Sequence, residues 1–199
     1  MKLMFIMILS MFSGILGNYL ICKTVDKNYK FVLMALLNVL NAAAFLLMYF
    51  KFGFTIAFIK YSLLLSLLIM MSFIDYYFKE VYFNTVCIGV ILSLIFIAVN
   101  MSCFNVEPKQ FIIAGISGYL IIWLIHFITH GHGIGLGDAE VFLIVGLFTG
   151  CHVFVIVFLL TFTIAFVFSL PKVIKHKLNF YVPLVPYIAI STALAIFFM

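Results

Sequence analysis

The chain of 199 residues is 67% apolar and only 9% charged, with a mean hydropathy of +1.36. A soluble domain runs at about 45–50% apolar and about 25% charged, so a soluble enzyme, a disordered chain and a nucleic-acid binder are all excluded. The basic excess, 11 Lys and no Arg against 6 acids for a net +5, is what the cytoplasmic loops of a membrane protein carry.

Lipid offers the backbone no hydrogen bonds, so each spanning segment must be a helix of about 20 residues. Apolar runs of that kind lie at 3–22, 31–50, 55–74, 81–100, 110–129, 139–151, 153–171 and 180–198. The first begins with Lys2 and could pass for a signal peptide. It is a full span long and has no clear small-x-small cleavage site, so a retained helix is expected. The stretch 139–171 would be about 50 Å long as one helix, against a hydrocarbon core of about 30 Å. A break at Gly150-Cys151-His152 is therefore expected, giving eight helices, with seven as the alternative. The fold class is an all-α, polytopic transmembrane helix bundle, read as one domain over 1–199.

With eight spans, Lys23, Lys27, Lys30, Lys79, Lys172, Lys175 and Lys177 fall on one side, and Lys2, Lys51, Lys60 and Lys109 on the other. The positive-inside rule then places the loops 23–30, 75–80, 130–138 and 172–179 in the cytoplasm and both termini outside. Cys22, Cys87, Cys103 and Cys151 form no C-x-x-C pair. Neither a disulfide framework nor a zinc site is expected of them.

Six acids remain to be explained. Asp26 lies among loop lysines and Glu107 precedes Pro108, and both read as solvated. Asp75 ends the apolar run 63–74, and Asp138 ends Gly131-His132-Gly133-Ile134-Gly135-Leu136-Gly137. The topology puts both on one face of the membrane, where an acid is costly unless it is paired, hydrated or functional. Two neighbouring carboxylates cannot both ionise readily, so one can take a proton from water while the other donates a hydrogen bond to a peptide carbonyl as it becomes tetrahedral. The glycines Gly133, Gly135 and Gly137 permit positive φ and strip side chains away, so that an extended substrate could approach Asp138. Glu80 and Glu140, near the same helix ends, could attract a basic peptide segment.

These residues carry a resemblance. Ile74-Asp75 is similar to the first aspartate motif of the type IV prepilin peptidases, and Gly135-Leu136-Gly137-Asp138 to their second, the G-x-G-D motif. Gly115-Ile116-Ser117-Gly118-Tyr119 with Trp123 resembles the helix leading into that motif. Val182-Pro183-Leu184-Val185-Pro186-Tyr187 resembles the start of the last helix, and Gly17-Asn18 loosely resembles the family's first motif. The family usually has a Pro followed by Asn or Asp where Tyr82-Phe83-Asn84 stands here, and commonly a Lys where Glu140 stands.

The resemblance implies a membrane aspartic endopeptidase with Asp75 and Asp138 as catalytic residues and Gly135, Gly137, Glu80 and Glu140 about the substrate. It implies no metal and no cofactor. It implies prepilin-like or pseudopilin-like substrates, cut after a glycine behind a short basic leader at the cytoplasmic face of the inner membrane. The segment 23–30 is too short for the two C-x-x-C pairs of the long bacterial members, which counts against their N-methyltransferase activity. Partners beyond substrate and bilayer, and the oligomeric state, are not implied.

G-x-G-D also occurs in presenilin-type proteases, but Asp75 follows Ile74 rather than a tyrosine, and the later Pro-Ala-Leu element is missing. Cys87, or Cys151 beside His152, would need a base in a polar pocket to act as a nucleophile. His126 and His130, one helical turn apart and near His132, could bind a metal, or could form interfacial hydrogen bonds and influence the pKa of Asp138. The non-enzyme alternative is a small transporter or a structural subunit of a pilus or secretion apparatus.

Overall fold

The computed structural model describes residues 2–24, 31–104, 106–130, 134–174 and 182–199. Among the described residues all regular structure is helical: α1 (Lys2–Thr24), α2 (Phe31–Phe52), α3 (Ile56–Phe78), α4 (Phe83–Phe104), α5 (Lys109–Ile128), α6 (Leu136–Thr149), α7 (Cys151–Ile174) and α8 (Val185–Phe198). Five stretches are long and apolar enough to cross a membrane: Met34–Phe52, Ile56–Phe78, Phe83–Cys103, Lys109–Ile128 and Cys151–Leu170. The protein is a multi-pass membrane protein, a polytopic helical bundle, with the eight-helix reading realised.

The expected break falls at Gly150, the lone residue between α6 and α7. Its φ of 76° and ψ of 172° belong to a region that is nearly glycine-only. Its N–H still reaches the Gly146 carbonyl at 2.9 Å, which closes α6 before the chain reverses. Two boundaries differ from expectation. Helix α3 runs on to Phe78, so Asp75 lies one turn inside its end. Helix α6 begins at Leu136, so Asp138 sits in its first turn and not in a loop.

Helix α6 is the axis of the bundle. With 14 residues it is about 21 Å long, too short for the hydrocarbon core, and it is wrapped by protein. Val141, Phe142, Ile144, Val145 and Phe148 have no exposed surface. Phe142 meets Phe158 at 5.2 Å between ring centres, and Phe158 meets Phe162 at 4.9 Å, which ties α6 to α7.

Helix α5 approaches α6 backbone to backbone. A Cβ on Gly146 would stand 2.5 Å from the carbonyl carbon of Ala114 and the nitrogen of Gly115. Small residues allow this approach, and in lipid such packing replaces the hydrophobic drive between helices. Gly115 and Gly118, noted in the sequence for their resemblance, form the other half of this surface. A Cβ there would meet Leu147 at 2.8 Å and the Phe154 ring at 2.5 Å.

Asn18 of α1 donates to the Asn38 side chain of α2 at 3.3 Å. Lys60, in the first turns of α3, is 5% exposed. Its ammonium lies 4.8 Å from the Phe111 ring centre and 5.1 Å from that of Tyr61, so a buried cation is held by two aromatic faces.

Candidate active site

The C-terminal end of α3 and the N-terminal ends of α6 and α8 converge. The cavity between α3 and α6 has a volume of about 370 Å³ and is walled by Asp75, Lys79, Glu80, Val81, Gly135, Leu136, Gly137, Asp138 and Glu140. Asp75, Asp138, Gly135, Gly137, Glu80 and Glu140, six of the residues singled out in the sequence for chemistry or substrate contact, line this one space. The two aspartates are separated by more than sixty positions in the chain, and the packing of α3 and α6 brings them together.

Asp75 is 2% exposed. Its Oδ2 accepts the backbone N–H of Val185 at 3.1 Å. Val185 is the first residue of α8 and Pro186 follows it, a proline placement that marks helix starts. The first N–H groups of a helix have no partner inside it, and the positive end of the helix favours a negative charge beside it. Asp75 is therefore tied to a structural anion site. The residue's own carbonyl accepts Lys79 N–H at 2.9 Å, where Lys79, at φ 58°, turns the chain out of α3.

Asp138 is 7% exposed. Its Oδ2 accepts Gly135 N–H at 3.1 Å, and its own N–H donates to the Gly135 carbonyl at 3.2 Å. An acid at the third helical position closing back on the N-cap in this way fixes both the helix start and the carboxyl. Asp138 lies outside the five long spans. Burial first, and then the charge of Asp75, push its pKa from 3.8 up to about 7, while the Gly135 N–H pulls it down. A carboxyl in that range exchanges its proton at physiological pH.

The glycines play a different part from the one expected. Gly135 has φ −74°, and Gly137 is helical and not among the positive-φ residues. A Cβ on Gly137 would stand 2.7 Å from Cγ2 of Val81, so its missing side chain is filled by the turn after α3. Tight seating of α6 against that turn is what Gly137 provides. Gly133, His132, Asp26 and the lysines Lys27, Lys30, Lys175 and Lys177 lie outside the described residues.

Tyr82-Phe83-Asn84, where the sequence departs from the resemblance, closes the turn and opens α4. Thr85 Oγ1 donates to the Tyr82 carbonyl at 2.6 Å. Among the described residues no group of three metal-ligating side chains occurs. His126 instead bonds the carbonyl of Ile134 through Nδ1 at 2.6 Å. Cys151 Sγ is engaged with the Gln110 carbonyl at 3.0 Å, away from the aspartates.

Sequence reasoning missed three features. The α8 N-terminus was seen only as part of a resemblance, although Pro186 was the available signal. His126 was expected to form an interfacial hydrogen bond or to hold a metal, but nothing in the sequence pointed to the Ile134 carbonyl as its partner. The third is a second cavity of about 250 Å³ on the other side of Asp138, bordered by Phe162, Ala165 and Phe166 of α7 and by Leu184.

No curated protein and no solved structure matches the chain. The model of the type IV leader peptidase family matches residues 62–170, more than half of the 199 residues. The matched stretch contains both aspartates, the turn between α3 and α4, and the α5–α6 contact. On that match the chain belongs to the type IV leader peptidase family.

Proposed function

We propose that the protein is an aspartic endopeptidase that removes the short basic leader of prepilin-like or pseudopilin-like substrates at the cytoplasmic face of the inner membrane. The observation that carries this reading is that Asp75 and Asp138 wall one cavity while each is held by a backbone N–H. Asp75, fixed at the positive end of α8, is the base. It takes a proton from a water, whose oxygen forms a bond to the scissile carbonyl carbon. Asp138, protonated, hydrogen-bonds the carbonyl oxygen as it becomes tetrahedral. When the C–N bond breaks, the proton gained by Asp75 passes to the leaving amine. The same two groups are then restored.

The surroundings fit a substrate that is charged on one side of the cut and apolar on the other. Glu80 and Glu140 border the aspartate cavity, and phenylalanines border the second one. Asp138 lies on both walls, so a chain crossing it would leave its basic leader among the acids and its apolar portion against α7.

The test is cleavage of a purified prepilin-like peptide, with glycine before the bond, by the reconstituted protein. Asp75→Asn is expected to lower turnover by about 10²–10⁴-fold while still inserting and binding the peptide. An unimpaired Asp75→Asn would overturn the mechanism. Glu140→Lys is expected to raise KM several-fold at low salt and leave kcat unchanged. The difference should shrink at physiological ionic strength, where the screening length is about 8 Å. A KM equal to wild type at low salt removes Glu140 from leader recognition.

A further inference from the structure

His126 lies in the last turn of α5, on the preceding helix, and it ends up one peptide bond from the chemistry. Its Nδ1 is 2.6 Å from the Ile134 carbonyl oxygen. A carbonyl can only accept, so Nδ1 carries the proton and donates. The amide that follows this carbonyl is the N–H of Gly135, and that N–H donates to Asp138 Oδ2 at 3.1 Å. The two hydrogen bonds thus use the two ends of the same planar Ile134–Gly135 peptide unit. A donor on the carbonyl end polarises the amide and strengthens its N–H as a donor, as hydrogen-bonded chains do. It also fixes the plane of the peptide, and so the direction in which the Gly135 N–H points.

We propose that His126 is a positioning residue, which orients the Asp138 carboxyl through the Ile134–Gly135 peptide bond. The inference rests on the reading of Asp138 as the acid of the pair. It explains why a polar ring stands half-buried at the end of an otherwise apolar helix. It also explains how Gly135 holds the conformation that caps α6. The titratable and charged groups lining the aspartate cavity are Asp75, Lys79, Glu80 and Glu140. Among the described residues, the second cavity brings no titratable group other than Asp138 itself. His126 reaches Asp138 from α5 by the peptide route.

The experiment compares wild type with His126→Leu, His126→Gln and His126→Asn in the full chain, using a prepilin-like peptide as probe. The amide nitrogen of asparagine falls where Nδ1 stands, whereas that of glutamine falls further out. His126→Leu and His126→Gln are expected to lose about tenfold to a hundredfold in kcat, with KM within about twofold. Their high-pH limb should move to more alkaline pH, because the weaker Gly135 donor no longer favours the ionised carboxyl. His126→Asn should recover most of the loss and return the limb. Wild-type kinetics in both Leu and Gln variants, or an Asn variant as poor as they are, overturns the proposal. A second measurement needs no turnover: the pH midpoint of the stability difference between His126→Gln and His126→Gln/Asp138→Asn. It should lie above the midpoint for the same comparison in the wild-type background, and an unchanged midpoint overturns the proposal. A wild type that cleaves no peptide would sink the peptidase reading, while this midpoint still reports on His126 and Asp138.

Discussion

Asp138→Asn is expected to abolish measurable cleavage and to raise the melting temperature of the protein above neutral pH. The two effects share one cause. Burial and the neighbouring Asp75 hold the Asp138 pKa up at about 7, against 3.8 for an ordinary aspartate. The folded state therefore binds this proton more tightly than the unfolded state does. As pH rises from about 4 to about 7 the unfolded chain loses the proton first, and stability falls through that window. Above the folded pKa the loss is complete, at most about 4 kcal/mol. Asparagine cannot ionise, and its side-chain oxygen can still accept the Gly135 N–H, so the variant escapes the penalty.

Thermal melts in detergent at pH 4 and pH 8 check this. The variant should match wild type at the lower pH and exceed it at the higher. Below the folded pKa of about 7, turnover should fall by about 10²–10⁴-fold, since on the proposed mechanism the group that donates to the carbonyl oxygen is gone, and the gap should narrow at higher pH as the wild type loses the same proton. A variant that is equally active, or no more stable at pH 8, contradicts the assignment of the proton to Asp138.

The depth to which this site could be read from the sequence follows from the range of each interaction. The spans announced themselves because lipid imposes a local rule, about 20 apolar residues in a row. Gly150 was legible because a helix of 33 residues does not fit the membrane. The two aspartates stood out because acids are costly at a helix–lipid boundary. Helix ends were less legible. Asp75 lies a turn inside α3 because Lys79 supplies an unusual left-handed cap, and nothing in Tyr76-Tyr77-Phe78 marks that. The contacts that set the chemistry were out of reach. Val185 meets Asp75 across 110 residues, and Val81 fills the space left by Gly137. A glycine shows on paper only that a side chain is missing. Whether the gap serves a bend, a ligand or a neighbouring helix is decided by a partner remote in the chain. For Gly137 that partner is Val81, in the turn after α3.

Gly146→Val should be the most damaging change remote from the carboxyls. Gly146 sits on the face of α6 that touches α5, and an added Cβ would lie 2.5 Å from Ala114 C and 2.6 Å from the Ala114 oxygen. These are backbone atoms, so no rotamer change relieves the clash and the helices must part. Overpacking of a close contact costs about 1–3 kcal/mol or more. Parting α5 from α6 also moves the helix that carries Asp138 relative to the one that carries His126. Cleavage is expected to fall by at least about tenfold in whatever protein still folds, with a melting temperature several degrees lower. Gly17→Ala supplies the contrast, because a Cβ there meets Leu37 at 3.6 Å and Met70 at 3.8 Å, ordinary van der Waals distances. Within α1 the alanine should be neutral or stabilise by about 0.5–1 kcal/mol through its lower backbone entropy cost. Parallel melts and cleavage assays of the two variants separate the claim of backbone contact from a general intolerance of glycine replacement. Equal losses in both, or none in Gly146→Val, would show that the α5–α6 approach is not what holds Asp138 in place.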